Sequence, residues 1–406
     1  MRPANASVEG HIGADPRNEV VGDLPSAKSD PPPHFTSMIK PEAFVRSLEK
    51  AGIDFYAGVP DSLLKDFCAF VEDHGNHVIA ANEGNAVAMA CGYHMATGKR
   101  AGVYLQNSGL GNIINPLTSL ADKEVYKIPM LLIIGWRGEP GVHDEPQHVK
   151  QGRITPQQLE LLEIPYRLVD SGCEPEELAA WASRALEENG APVALLVKSG
   201  AFASYKSRRA SSFKATMLRE QALDVLLGLA GEASVIATTG KTSREVFELR
   251  TARKEVQRDF LTVGGMGHTS SIALGVAMGR PERSVVCIDG DGSALMHMGA
   301  MAIIGDARPA NLTHVLMNNA AHESVGGQPT VGDSIDFKGL ATACGYAAYA
   351  LATTPEELVA AWSRLQAIPG PRLLEVRIAT GSRDNLGRPT STPGENKKAF
   401  MEWTRG

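Results

Sequence analysis

Residues 284–319 read SVVCIDGDGSALMHMGAMAIIGDARPANLTHVLMNN. The stretch opens with an apolar run, Ser284 to Ile288, short enough for a buried strand. Asp289-Gly290-Asp291-Gly292 follows, two glycines flanking a carboxylate where a strand must turn sharply into a helix. Residues Ser293 to Ile304 read as that helix, and a second apolar run, Thr313 to Met317, ends at Asn318-Asn319. Strand, helix, strand is a βαβ unit, so both polar ends fall at the carboxyl edge of one parallel sheet, where open α/β sheets bind ligands. A carboxylate and an amide oxygen there suit a hard divalent cation that also takes phosphate oxygens. The helix start after Gly292 adds unpaired N–H groups that favour anions. The expectation is a magnesium diphosphate site.

Outward from this unit the pattern repeats in both directions. Upstream, apolar runs at 54–59, 77–81, 101–106, 129–135, 166–169 and 192–198 alternate with helical stretches at 40–51, 62–74, 83–97, 110–125, 156–163 and 174–189. Six such runs predict a parallel doubly wound sheet. Residues 203–214 are polar and aperiodic and read as a linker. Beyond it, helices at 216–229, 242–254, 270–279, 293–305, 339–344 and 355–366 alternate with strands at 234–239, 259–263, 284–288, 313–317, 347–351 and 372–378. Two α/β halves of similar style suggest duplication of one architecture. The expected organisation is a disordered tail (1–35), a first α/β domain (36–202), a linker (203–215), a second α/β domain (216–395) and a C-terminal helix (396–406). No central third domain fits between the halves.

The 406 residues suffice for two cores, and 43% of them are hydrophobic. A net charge of −6 without a Lys/Arg block argues against a nucleic-acid partner. No run of 18 apolar residues predicts a membrane span, and the first residues lack a basic-then-apolar signal pattern. Five scattered cysteines show no metal spacing and read as reduced thiols of a cytoplasmic protein. Rival nucleotide motifs fail. Gly240-Lys241-Thr242 ends like a P-loop, but Val235 stands where its first glycine belongs. Gly265-Met266-Gly267 and Gly109-Leu110-Gly111 lack the third glycine of a dinucleotide fingerprint.

Gly290-Asp291-Gly292, a spacer of 25 residues (293–317) and Asn318-Asn319 together resemble the fingerprint of thiamine-diphosphate-dependent enzymes. The resemblance implies Asp291 and Asn319 as side-chain Mg²⁺ ligands, with the Ala321 carbonyl as a third. Asn82-Glu83-Gly84-Asn85-Ala86, leading to Gly92-Tyr93, resembles the pyrimidine-binding domain of that family. By itself a Glu in a helix's first turn is only a favourable dipole partner. The resemblance gives Glu83 a further role, bonding the aminopyrimidine ring so that the cofactor can lose its thiazolium proton. It also implies that Met266, beside Gly265, wedges between the two cofactor rings. Gly240, Lys241 and Thr242, together with Gly290, Gly292, Ser293 and Ala294, would hold the diphosphate.

The two-domain layout narrows the resemblance further. Residues 58–64 (GVPDSLL), 106–112 (QNSGLGN), 144–148 (DEPQH) and 318–329 (NNAAHESVGGQP) resemble the two-domain 2-oxo acid decarboxylases that act on phosphonopyruvate or sulfopyruvate. Ala320 and Glu323 depart from the Gly and Asp usual there. The implied activity is non-oxidative decarboxylation of 3-phosphonopyruvate to phosphonoacetaldehyde and CO₂ in phosphonate biosynthesis. A sulfopyruvate decarboxylase and an acetolactate-synthase-like carboligase are the alternatives within the enzyme class; a silent cofactor-binding scaffold is the alternative outside it. A small anionic 2-oxo acid needs cationic and amide donors. The expected loop 136–153 offers Arg137, His143, His148, Lys150 and Arg153, and Asn107 follows a strand nearby; of these Asn107, Arg137, His148 and Lys150 are the expected substrate contacts. Asp61 and His322 are candidates for proton transfer to the decarboxylated carbon. The family resemblance also implies a homodimer, with each cofactor between the first domain of one subunit and the second domain of another.

Overall fold

The computed structural model describes residues 38–209 and 212–406; the tail expected at 1–35 lies outside the described residues. The first sheet is built from β1 (Ile53–Gly58), β2 (His77–Ile79), β3 (Arg100–Gln106), β4 (Met130–Gly135), β5 (Tyr166–Val169) and β6 (Val193–Val197). They lie in the order β2-β1-β3-β4-β6-β5, all parallel. The second sheet holds β7 (Ser234–Ala237), β8 (Phe260–Leu261), β9 (Val285–Gly290) and β10 (Leu312–Asn318). A small antiparallel pair, β11 (Ala321–His322) and β12 (Gln328–Pro329), intervenes before β13 (Ala348–Ala352) and β14 (Arg372–Arg377). The order is β13-β14-β10-β9-β7-β8, again all parallel. Numbered within its own half and read from the other edge, it is the order of the first sheet. The duplication expected from the sequence is therefore one of topology as well as style.

Both sheets are covered on two faces, which is why their strands read as unbroken apolar runs. Along β4, Leu131 and Ile133 pack with Phe44, Phe67 and Leu195, whereas Leu132 and Ile134 pack with Val87, Val103 and Leu196. Along β9, Val286 and Ile288 face one core and Val285 and Cys287 the other. Alternate residues of a strand point to opposite faces, so each sheet separates two cores.

Three expected elements differ from those observed. The helix expected at 110–125 stops at Pro116 and passes into a π-type turn, Leu117–Ala121, because proline brings no N–H to the ladder. The helix expected at 293–305 is two helices, Asp291–Met296 and Gly299–Ala307, broken at His297 and Met298. The loop expected at 136–153 becomes helix at Pro146, and that helix continues to Leu161. Gly152 in that stretch is not a helix breaker. The Gly138 carbonyl packs against it so closely that a Cβ would lie 1.8 Å from the oxygen. Element ends elsewhere shift by a few residues; the C-terminal helix begins at Pro393 behind a Thr392/Glu395 capping box. Among the described residues no further sheet stands between the halves. Residues 203–209 and 212–216 carry no helix or strand, and Asp66 and Asp73 anchor Tyr205, Ser207 and Arg208 near the start of the first of these stretches.

Candidate active site

The second sheet supplies a corner at the carboxyl ends of β9 and β10. Helix Asp291–Met296 starts directly from β9, and Asp291 is buried in its first turn. Its Oδ2 accepts a short hydrogen bond from the Thr330 hydroxyl, and its Oδ1 faces the Asn319 backbone N–H at 3.5 Å. Burial pushes the Asp291 carboxyl up to about 6, and those two donors only partly offset it. Asn318 is fixed by Gly332 and Glu375 and accepts from the Ala320 N–H. Asn319 turns its Oδ1 to the Ala321 N–H (3.1 Å) and its Nδ2 to Glu323 (3.0 Å). Asp291, Asn319 and Ala321 are thus neighbours. A buried carboxyl with no cation beside it, next to an amide oxygen, fits a divalent metal.

Three loops converge on the same helix start. The Ser293 hydroxyl accepts from the Gly267 N–H (3.0 Å) and from Thr238 (3.3 Å), tying the ends of β7, β8 and β9 together. Gly240, Gly265 and Gly267 all have positive φ, at +88°, +69° and +90°, so the backbone there is shaped for close approach. Met266 lies half-buried between the last two, and Thr242 and Ala294 are buried. Gly290 has open space where a Cβ would stand, whereas at Gly292 a Cβ would come within 3.0 Å of His322 Nδ1. That nitrogen is buried without a hydrogen-bond partner, and burial pushes the imidazole down to about 4. Lys241 is not a free cation: its Nζ donates to Glu323 at 2.8 Å. An orphaned imidazole nitrogen, a set of glycine turns and a helix start fit a diphosphate.

The first sheet contributes Glu83, buried at the start of helix Glu83–Thr97. Its Oε2 accepts from Asn112 Nδ2 at 2.7 Å. A Cβ at Gly109 would lie 2.4 Å from Oε1, so only glycine leaves room for the carboxylate. Asp61 is fully buried, bonded by Gln106 (2.6 Å) and the Leu63 N–H (2.9 Å); burial raises its carboxyl despite both bonds.

Three of the expected substrate contacts have other partners or surroundings. Asn107 is fully buried; its amide donates to the Arg137 carbonyl and Thr155, both at 2.9 Å, and its oxygen accepts from the Arg137 N–H, leaving nothing for a ligand. Arg137 is clamped by Asp144 through two nitrogens and bonds Ser62 at 2.8 Å. Against the effect of burial, that guanidinium holds the Asp144 carboxyl well below the carboxylate range. His148 and Lys150 sit on a helix rather than a loop. His148 is buried with Nδ1 unpartnered, and its imidazole is lowered by burial and by Arg137. Lys150 is exposed.

The two carboxyl edges face each other within one chain. Asn82 Nδ2 donates to the Met296 carbonyl at 3.1 Å, and Gln328 Nε2 reaches the Lys65 carbonyl at 3.4 Å. Glu145 bridges Arg244 (3.5 Å) and Arg388 (2.5 Å), and Gln147 packs against Gly264. Sequence reasoning missed the residue that ties most of this corner together. Glu323 accepts from Lys241, Arg219, Asn319 and the Gly381 N–H. The available signal was an acidic residue four positions after Asn319 in a loop of small residues. Asn112 was likewise legible only as part of a quoted stretch.

The family model described as "Thiamine pyrophosphate enzyme, N-terminal TPP binding domain" matches residues 41–161, and the corresponding C-terminal TPP binding domain matches 238–376. The chain is 36% identical over 382 residues to a phosphonopyruvate decarboxylase of Streptomyces viridochromogenes, covering 89% of this chain and 94% of the relative. It is 35% identical to one from Streptomyces hygroscopicus (90% and 94% covered) and 28% identical to a sulfopyruvate decarboxylase of Methanosarcina acetivorans (89% and 96% covered). The chain belongs to the thiamine pyrophosphate enzyme family, in the branch these relatives represent.

Proposed function

We propose that this protein decarboxylates 3-phosphonopyruvate to phosphonoacetaldehyde and CO₂, with thiamine diphosphate and Mg²⁺, as a cytoplasmic step of phosphonate biosynthesis. The observation that carries the reading is a pairing across the cleft. Glu83, buried beside Asn112, stands at the edge of one sheet, and the Asp291–Asn319 corner stands at the edge of the other, with Asn82 and Met296 joining the two. The substrate follows from relatives that share the whole two-sheet length and are named for phosphonopyruvate. All five cysteines are unpaired, which supports a reducing compartment.

In this reading Asp291, Asn319 and the Ala321 carbonyl hold Mg²⁺. The backbone at Gly240, Lys241, Thr242, Gly290, Gly292, Ser293 and Ala294 holds the diphosphate, and Gly265 lets Met266 support the rings. Thiamine diphosphate, when bound, supplies the electron sink that lets carboxylate leave as CO₂. Glu83 offers a buried carboxylate to the ring nitrogen, kept in place by Asn112 and by the absent side chain at Gly109. Lys150 and Arg153 have no acidic partner among the described residues and are the cations left to meet the phosphonate. Arg137, held by Asp144, fixes the turn that leads into the helix carrying them. Asp61 and His322 remain the candidate proton donors, each with a carboxyl or ring buried near an edge.

The working unit proposed is a homodimer in which this same junction, first half against second half, forms between one chain and its partner. Residues 203–209 and 212–216, without helix or strand, would allow such an exchange. Exposed Ile272, Met278, Met298 and Ile303 give the second half an apolar surface to bury. Steady-state CO₂ release with phosphonopyruvate, sulfopyruvate and pyruvate tests the whole reading. A strong preference for phosphonopyruvate is expected. Preference for sulfopyruvate would establish the second reading, which the Methanosarcina relative favours; turnover of none would sink both.

A further inference from the structure

A titratable residue follows directly on each partner of the Asn82–Met296 hydrogen bond, at the junction of the two halves. On the first half it is Glu83; on the second it is His297. His297 occupies the break between helices Asp291–Met296 and Gly299–Ala307, with φ −133° and ψ 49°. Its imidazole packs on Gly267, where a Cβ would lie 2.6 Å from Cδ2. The His268 ring stands 4.5 Å away between centroids. The Nε2 atom is buried and has no hydrogen-bond partner, although the residue as a whole is half-buried. His297 therefore touches the loop of Met266 and lies next to the junction that positions Glu83.

We propose that His297 is the second half's partner to Glu83, a positioning residue whose free Nε2 sets the orientation of that carboxylate. The proposal rests on the role given to Glu83 above. Burial and the neighbouring His268 lower the His297 imidazole, and Glu83 pulls it back up, so the two charges sense each other. The titratable groups facing His297 are these two: His268 before helix Thr269–Gly279 and Glu83 on helix Glu83–Thr97.

The first test uses the protein without cofactor. The ring nitrogens of His297 are followed by NMR through a pH titration, with His297→Gln assigning the signal. Glu83→Gln is expected to lower the midpoint by about half a unit or more, since it removes a nearby anion. An unmoved midpoint overturns the proposal. The second test uses loaded enzyme and reads exchange of the cofactor C2 proton. His297→Phe is expected to slow exchange about tenfold and shift its pH profile, with cofactor affinity nearly unchanged and His297→Asn partly restoring the rate. Wild-type exchange in His297→Phe also overturns it. Full exchange in Glu83→Gln would instead remove the role of Glu83 itself, and the titration distinguishes the two failures.

Discussion

Asn82 serves both halves at once: its Nδ2 donates to the Met296 carbonyl at 3.1 Å, and its Oδ1 caps its own helix by accepting from the Asn85 N–H at 3.0 Å. The two duties separate by substitution. Asn82→Ala loses both and is expected to cost about 1 kcal/mol in urea denaturation. Asn82→Ser keeps a capping oxygen but cannot reach Met296, so its stability stays near wild type. Both variants are expected to lose kcat alike. A Ser variant with undiminished kcat would show that the junction is dispensable for turnover.

Exchange of halves between chains has a direct test. Glu83→Gln and Asp291→Asn are each expected to be nearly inactive. Co-expressed, random pairing leaves one intact site in half of the dimers, so about a quarter of wild-type activity returns if sites combine two chains. No recovery, with mixed dimers demonstrated by differential tags, would mean that each chain closes its own site.

Glu323 gathers Lys241 (2.8 Å), Arg219 (2.7 Å) and Asn319 (3.0 Å) around one carboxylate. Against the effect of burial, Lys241 and Arg219 hold that carboxyl below its ordinary value. Glu323→Gln leaves a buried and a half-buried cation under-compensated, although Arg219 keeps Glu245. The expected cost is about 2 kcal/mol in thermal or urea unfolding. Because Asn319 loses its orienting acceptor, Mg²⁺ affinity by calorimetry should fall about tenfold. Unchanged Mg²⁺ binding would detach Glu323 from the metal corner.

His77 bonds Tyr104 at 2.9 Å, and burial, aided by Arg209, pushes its imidazole down to about 4. Between about pH 6.5 and pH 4 the unfolded chain takes up a proton that the folded one refuses. Stability is therefore fully present above that window and falls as pH drops through it, by about 3 kcal/mol for this group. His322 carries the same sign. His77→Gln should unfold like wild type at neutral pH and show roughly half the acid slope in this window. Parallel stability profiles for the two proteins would contradict the assignment.

Ala320 adopts φ +52°, a left-handed conformation that its Cβ resists. Ala320→Gly is expected to gain about 0.5–1 kcal/mol, read as a higher denaturation midpoint with an unchanged m-value. A lower midpoint would mean that packing of the buried methyl outweighs backbone strain.

What the sequence revealed and what it concealed divide along physical lines. Strands buried on both faces must be continuous apolar runs, so β4, β6 and β10 were legible residue by residue, and the Asp291–Asn319 corner followed from where such runs end. Polar residues in buried loops are different. Asn107 and Arg137 looked available to a ligand, yet Asn107 is consumed by Thr155 from a distant stretch and Arg137 by Asp144 across its own loop. Spacing along the chain does not say which partner a donor finds. Gly152 falls in the stretch expected as a loop, yet it stands in a helix where close packing leaves no room for a side chain. Glu323 and His297 matter through contacts between elements, and no local pattern records those.

Every ladder hydrogen bond of the two large sheets closes inside its own half. Continuity of the chain across 212–216 therefore contributes tethering rather than structure. A gene cut there would encode two polypeptides, each with a complete sheet, that need only find one another. What fusion secures is stoichiometry: one Glu83 is synthesised for every Asp291.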